Sequence, residues 1–393
     1  MNPALTIKKA LKEFGFFILE GLAPLVEKNR VINKAVVKKI LVYAGGSGLG
    51  DLIRVLPAIE TLHANFPTAS ISLLATPESQ GILSLSPVSA IISEIINYDS
   101  KKRHKSFFKK IILLYNLRKK NYDLIYFPSR GGGMREEVLM NLVIGAHYSL
   151  GFKKGKVGLF STTKIELRED MPILQQNLAI LKAANLEIYD EEIRLEVPEK
   201  YIKYAHEFLS EHNLNNSFPL ISIHTGASWY TKYRCWPIER YVSLIEYLLK
   251  DFNAKIIIIG STNEAEMGTT ICEQFQGSSV MNMVGKTDIG QMAALIKQSD
   301  LFIGHDSGPL HIALALKVPS IAIFGLTSPR QVISSTERCK VVSKNLSCSP
   351  CYLHQPGFKP YCEDLRCLKE IMAEEVVECV GKMLTEIRES TML

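Results

Sequence analysis

Four loops in this sequence gather residue types that can bind an anion or move a proton. The first reads Gly45-Gly46-Ser47-Gly48-Leu49-Gly50-Asp51 and runs on through Leu52-Ile53-Arg54-Val55-Leu56-Pro57. It brings one carboxylate, Asp51, to a helix start beside residues small enough for a ligand to approach the backbone. Two readings of Asp51 stay open: a helix-terminal acid favoured by the helix dipole, or a general base. The glycine spacing excludes the common nucleotide fingerprints. Counted from Gly46, the last glycine of G-x-G-x-x-G falls on Asp51, and no Gly-Lys-Ser/Thr follows as a P-loop requires. A nicotinamide enzyme is therefore disfavoured.

The second loop, His305-Asp306-Ser307-Gly308-Pro309-Leu310-His311, follows an apolar run and opens a helix. Asp306 and Ser307 are good capping residues, and a helix amino end with small residues is equally an anion site; both readings remain. His311 lies inside the same helix, which suits packing as much as contact with a ligand. In the third loop, Thr225-Gly226-Ala227-Ser228-Trp229-Tyr230-Thr231-Lys232-Tyr233-Arg234-Cys235-Trp236-Pro237, hydroxyls and two cations precede a helix with proline near its start. That is a phosphate-binding composition: hydroxyl and amide donors, with Lys232 and Arg234 as counter-charge. The fourth, Gly260-Ser261-Thr262-Asn263-Glu264, offers Glu264 as a first-turn acid or a grip on ribose hydroxyls.

Eight cysteines in 393 residues are too sparse for a disulfide scaffold. Cys348-x2-Cys351-x10-Cys362-x4-Cys367 leaves three readings: structural zinc, free thiols in a stabilised loop, or a disulfide. None of them implies a catalytic metal.

These loops must be held by elements that recur as Val/Ile/Leu-rich strands, each followed by a helical pattern, which argues for parallel sheets with helices on both faces. The first series is strand 40–44, helix 51–65, strands 70–75 and 90–96, a basic helix 105–120, strand 122–127 and helix 134–144. Residues 186–198 read as a linker. The second series is strand 220–224, helix 238–250, strand 254–260, helices 264–275 and 289–298, strand 301–304, helix 307–316 and strand 320–324. The expected fold class is α/β, two Rossmann-like doubly wound parallel-sheet domains facing a cleft, with ligands beyond the carboxyl ends of the strands.

The net charge of +6 is unevenly spread: residues 1–39 hold eight Lys/Arg against Glu13, Glu20 and Glu27, residues 101–120 hold nine Lys/Arg and no acid, and the rest is acidic. Both basic segments have an amphipathic pattern, with apolar stripes Leu11, Phe14, Ile18, Leu22, Leu25 and Phe107, Ile111, Leu114, Tyr115. An anionic membrane surface is the better partner than nucleic acid. No run is long and apolar enough to span a bilayer; the nearest, Phe14 to Val26, is broken by Glu20. That carboxylate also counts against a signal peptide, so a cytoplasmic chain is expected.

Gly48-Leu49-Gly50-Asp51 with Pro57 and Phe66-Pro67, Thr225-Gly226-Ala227 through Arg234-x-Trp236-Pro237, Gly260 to Glu264, and above all Asp306-Ser307-Gly308-Pro309-x-His311 together resemble glycosyltransferase family 9, the ADP-heptose:lipopolysaccharide heptosyltransferases. The likeness runs from about Lys39 to the carboxyl end. It implies a GT-B fold with an acceptor-side domain (39–190) and a nucleotide-sugar domain (191–393) whose terminal helix often crosses back; the basic amphipathic extension (1–38) lies outside the likeness. It also implies an inverting transferase without a required metal or other cofactor, with ADP-heptose as donor and a lipid-linked or core oligosaccharide as acceptor, working at the inner face of the cytoplasmic membrane. By position, the resemblance makes Asp51 the base, with Gly48, Gly50 and Arg54 in the acceptor-side loop. Thr225, Gly226, Lys232, Arg234, Glu264, Asp306, Ser307, Gly308 and His311 fall on the donor side. Arg234 stands where the family usually has lysine, which keeps the charge and changes its shape. Two other functions fit the same architecture: a nucleotide-sugar epimerase, which needs no acceptor, and a non-catalytic nucleotide-sugar-binding protein. A two-lobed solute-binding protein fits less well, because it needs export.

Overall fold

The computed structural model describes residues 31–391 apart from 45–47, 100–103, 105, 129–133, 154–160, 167, 169, 216–217, 227–232, 276, 278, 334–337, 352–361 and 363. The stripe from Leu11 to Leu25, the glycines before Gly48, the basic residues 101–103 and 105, and Lys232 lie outside the described residues. The chain forms two compact units, Met1–Gln80 with Val88–Glu192, and Gly81–Pro87 with Ile193–Leu393.

In the first unit β1 (Lys39–Ala44), β2 (Ser70–Ala75), β3 (Ile92–Asn97), β4 (Leu124–Tyr126), β5 (Tyr148–Lys153) and β6 (Thr163–Glu166) form one sheet in the order β3-β2-β1-β4-β5-β6. Every pairing is parallel. All but the first residue of β1 and of β2 are buried, as expected where helices cover both faces of a parallel sheet. The helices are α1 (Leu49–Ile53), α2 (Leu56–Asn65), α3 (Phe107–Lys119), α4 (Met134–Ile144) and α5 (Ile173–Ala183).

Two expectations need correcting here. The single helix 51–65 is two, α1 and α2, with a turn at Arg54 and Val55. Pro57, at the start of α2, has no N–H to give to Ile53, and breaking the helix before it avoids that loss. Nor do Ile111, Leu114 and Tyr115 share one face. Leu114 and Leu117 are buried in the core, whereas Phe108, Ile111, Ile112 and Tyr115, spaced i, i+3, i+4, i+7, face outward. The Phe107 side chain is not among those described.

The second unit repeats the topology. β7 (Leu220–His224), β8 (Lys255–Ile259), β9 (Val280–Asn282), β10 (Leu301–His305), β11 (Ser320–Phe324) and β12 (Cys339–Ser343) are parallel, in the order β12-β11-β10-β7-β8-β9. Its helices are α6 (Glu199–Glu211), α7 (Ile238–Phe252), α8 (Ala265–Cys272), α9 (Ile289–Gln298), α10 (Gly308–Ala315) and α11 (Ala373–Thr391). The segment 81–87 packs on α9, and α11 packs along α7. Trp236, 1% exposed, anchors the chain entering α7: its indole N–H donates to the Ile371 carbonyl at 3.0 Å and its ring meets Tyr241 edge-on.

Candidate functional site

In a doubly wound sheet the strand order reverses between the first and fourth strands, and ligands bind beyond the carboxyl ends at that point. In the second unit those strands are β7 and β10, and both end on histidine, His224 and His305. Glu264 stands beyond the end of β8, and Asp306 and Ser307 lead from β10 into α10.

His224 ties these pieces together. Its Nδ1 lies 3.0 Å from Ser307 Oγ and its Nε2 3.4 Å from Glu264 Oε1. The other Glu264 oxygen, Oε2, accepts from the Ser261 N–H at 2.5 Å and the Ser261 hydroxyl at 2.9 Å. Burial pushes the Glu264 carboxyl up, but the His224 and Ser261 bonds outweigh it and hold it at about 2, so it is an anion at any ordinary pH. Two glycines make room for it. A Cβ on Gly226 would collide with the Glu264 carboxyl, and one on Gly260 would lie 2.8 Å from Oε2.

His305, 1% exposed, has its ring centre 5.2 Å from that of His224, and neither of its nitrogens finds a hydrogen-bond partner among the described residues. Burial first, and His224 second, lower it to about 3, which keeps it neutral. Arg234 Nη1 donates to Asp306 Oδ2 at 3.1 Å, with both side chains largely buried. The proposed counter-charge thus meets the proposed acid directly. Ser307 occupies the N-cap position of α10 but its hydroxyl makes no capping bond, because it is turned to His224. Of the two readings of Ser307 drawn from sequence, simple capping is the one the geometry removes. Thr225 is 1% exposed and its hydroxyl has no partner among the described residues. Gly226 is buried, Gly308 opens α10, and His311 is buried within that helix.

In the first unit Asp51 sits in the first turn of α1. Its Oδ2 accepts from the Gly48 N–H at 3.0 Å and its Oδ1 pairs with the Arg54 guanidinium. Arg54, its side chain 5% exposed, is itself fixed by donating from Nε to the Gly50 carbonyl at 3.1 Å. The loop therefore orients the carboxylate from both sides while leaving it 30% exposed, within reach of a ligand. Another polar group at the same end of this sheet escaped the sequence reading. Glu136, in the first turn of α4, accepts from Tyr43 at 3.2 Å, from Tyr98, and from Lys110 at 2.6 Å. Burial, then the Glu136 charge, raises its neighbour Glu137 to about 8. A tyrosine late in an apolar strand and paired acids opening a helix were the available signals; nothing in the sequence joined them.

All eight cysteines are free, which removes the disulfide reading. Among the described residues no group of three or more His, Cys, Asp or Glu side chains already has the arrangement of a metal site. The four thiols do lie near one another, close enough that Cys362 and Cys348 act on Cys351 and all three act on Cys367, although Cys367 is 5% exposed in the hydrophobic core and Cys348 faces solvent. Burial first, then Cys351, Cys362 and Cys348, pushes the Cys367 thiol up to about 11.

Two units of one Rossmann-like topology are the architecture of the GT-B glycosyltransferases. The chain belongs to glycosyltransferase family 9 (heptosyltransferase), whose model matches residues 113–362. It is thus a glycosyltransferase; Asp51 lies ahead of the matched segment. It is 24% identical to lipopolysaccharide heptosyltransferase 2 of Escherichia coli (strain K12) over 77% of this chain and 87% of that one. Its fold is that of the family 9 glycosyl transferase of Veillonella parvula DSM 2008, with a TM-score of 0.70 at 22% identity over 89% of this chain and 97% of the other. It also matches E. coli ADP-heptose lps heptosyltransferase II, with a TM-score of 0.66 at 22% identity over 89% and 99%.

His224 and His305 are the site residues that sequence reasoning missed. Their signal, a histidine closing each of two buried strands, was present; their pairing depends on the strand order.

Proposed function

We propose that the protein transfers heptose from ADP-heptose to a lipopolysaccharide-core or related glycan acceptor, with inversion at the anomeric carbon and without a catalytic metal. The observation that carries this reading is the polar cluster at the switch point of the second sheet, with its uncapped helix start, guanidinium and spare hydroxyl. The names borne by the chain's relatives support heptose and ADP.

Direct displacement at an anomeric carbon has two needs. A base must take the proton of the acceptor hydroxyl, and positive or N–H groups must stabilise the departing diphosphate. Asp51, held by Gly48 and Arg54, takes the first role. Arg234, with Lys232, the Thr225 hydroxyl and the amide groups opening α10 at Gly308, takes the second, with Asp306 keeping Arg234 in position until the diphosphate arrives. Glu264 and Gly226 shape the nucleotide side. The acceptor is lipid-linked, so the protein works at the inner face of an anionic membrane, and the outward face of α3 suits that surface.

Asp51→Asn should lower turnover by roughly 10² to 10⁴-fold with ADP affinity nearly unchanged, and Arg234→Ala should weaken ADP binding by roughly 10 to 100-fold, the worth of one charge-assisted contact. Steady-state kinetics with a lipopolysaccharide-core acceptor, alongside calorimetry with ADP, reads both. Wild-type turnover in Asp51→Asn would reduce that residue to a helix-end acid, and unchanged ADP affinity in Arg234→Ala would remove it from the donor site. Activity should survive a chelator.

A further inference from the structure

The chain between β12 and α11 carries four of the eight cysteines, and the donor-site reading uses none of them. Two of the four are fastened to one piece of backbone, Gly325 and Leu326, which leave the carboxyl end of β11. From one side the Cys351 N–H donates to the Leu326 carbonyl at 3.0 Å, and the Ser349 hydroxyl donates to the Gly325 carbonyl at 2.5 Å. From the other, the short helix Arg366–Lys369 packs on β11, with Leu368 so near Gly325 that an added Cβ there would lie 2.4 Å from the leucine Cγ. Cys351 and Cys367 therefore meet at one end of the second core. Cys348 directly precedes Ser349, and Cys362 lies five residues before Cys367. Both are close enough to act on the two fastened thiols.

We propose that Cys348, Cys351, Cys362 and Cys367 bind one divalent transition-metal ion, zinc or iron, in a tetrahedral set of four thiolates. Cys-x2-Cys lets two sulfurs of one turn grip the same ion, and the second pair, from further along the chain, completes the set. All four thiols are free. Among the described residues their sulfurs do not already have the arrangement of a metal site, but Cys348 is exposed and Cys362 half-buried, so these two can turn onto the fastened pair. The ion drives that closure by drawing each sulfur to about 2.3 Å. Binding forms four metal–sulfur bonds and releases the thiol protons to solvent, with no change of oxidation state.

The surroundings suit a cation held by thiolates. Like-charge repulsion among the four sulfurs, felt at Cys367, is relieved by a positive ion between them. Arg366 lies near enough to Cys348 to face the net negative complex. Soft sulfur ligands in a tetrahedron select zinc or iron over magnesium and calcium. With four protein ligands the site is closed, so no position is left for water or substrate and the ion takes no part in sugar transfer. Its work is to clamp the chain after β12 to the end of β11, the strand beside β10, whose end leads into Asp306 and Ser307.

The test is metal analysis of the full chain purified in reductant without oxygen, followed by removal of the ion with an organomercurial and titration with Co²⁺. Cobalt bound by thiolates shows an intense sulfur-to-metal absorption in the near ultraviolet, and tetrahedral bands in the visible. Wild type should carry one zinc or iron ion per chain, and which of the two is read directly. Cys351→Ser and Cys362→Ser should lose both the ion and the cobalt–sulfur absorption, whereas Cys379→Ser, outside the cluster, should keep them. Zn²⁺ should raise the melting temperature of metal-free wild type but not that of Cys351→Ser, since an ion bound only by the folded chain stabilises it. Wild type that holds neither metal and gives no cobalt–sulfur absorption would overturn the proposal, as would an ion that survives both substitutions or disulfides among these four cysteines. Should the serine variants not fold, wild type decides alone, because the intensity of the cobalt–sulfur band counts the bound thiolates: four support the site and fewer overturn it.

Discussion

Glu137 and Glu264 are partly or fully buried carboxylates that their surroundings drive in opposite directions. Glu264 is held at about 2, below its unfolded value near 4.5, so it contributes stability that is present above that unfolded value and is lost as pH falls toward 2. Glu137 is raised to about 8, so the folded state holds its proton more tightly than the unfolded chain. Its contribution is therefore present at acid pH and is lost between about 4.5 and 8 as the pH rises. At about 1.4 kcal/mol per unit, discounted for partial exposure, that loss is on the order of 1 to 3 kcal/mol. Glu137→Gln, neutral at every pH, should match wild type in urea unfolding near pH 4.5 and exceed it near pH 8. The same gap at both pH values would mean that the carboxyl does not titrate as its burial requires. Neither glutamate declares this in the sequence, where each is an acid near a helix start. The difference lies in two hydrogen bonds from Ser261 and one from His224 at the first, and in the neighbouring Glu136 charge at the second.

Among the elements, the strands read from sequence alone are the interior ones and one edge, β3. β1, β2, β7, β10 and β11 are buried on both faces, and unbroken Val/Ile/Leu runs have no other economical explanation. The strands missed, β6, β9 and β12, are sheet edges, and β5 stands next to one: short or half-polar pieces whose strand character comes from a neighbour's hydrogen bonds. Helices α5 and α6 were missed for a different reason, and α11 was expected only through the resemblance: they have helical spacing but fall outside a strict strand-helix alternation. The loops on the interior strands were therefore legible as candidate sites, whereas contacts among them were not. Gly226 shows how little slack such a loop has. Glycine here serves close approach to Glu264, since an added Cβ would overlap the carboxyl. Gly226→Ala should displace Glu264 from His224, cost about 1 to 3 kcal/mol as overpacking does, and weaken ADP binding. A melting curve and an ADP titration matching wild type would show that the carboxylate can move aside without consequence.

At the scale of the whole molecule, the charge is distributed in a way that no single site explains. Positive charge is concentrated in residues 1–39 and 101–120 while the remainder of the chain is acidic. Among the described residues no helix is long and apolar enough to cross a membrane. What α3 offers instead is an outward stripe with Phe108 74%, Ile111 44%, Ile112 59% and Tyr115 55% exposed, while Leu114 and Leu117 secure the helix to its core. Lys109, Arg118 and Lys119 are exposed on the same helix, and Lys119 Nζ lies 4.4 Å from the centre of the Tyr115 ring. Apolar area of this size with a basic fringe suits insertion at the headgroup level of an anionic bilayer, where each basic residue adds about 1 kcal/mol that salt screens. Flotation with liposomes should therefore recover the protein on anionic but not on neutral lipid, and recovery should fall as salt is raised. Phe108→Glu with Ile112→Glu, at positions already facing solvent, should reduce recovery while leaving the melting temperature and turnover on a soluble acceptor fragment unchanged. Equal flotation on neutral lipid, or anionic-lipid binding that survives the double substitution, would exclude α3 as the docking face.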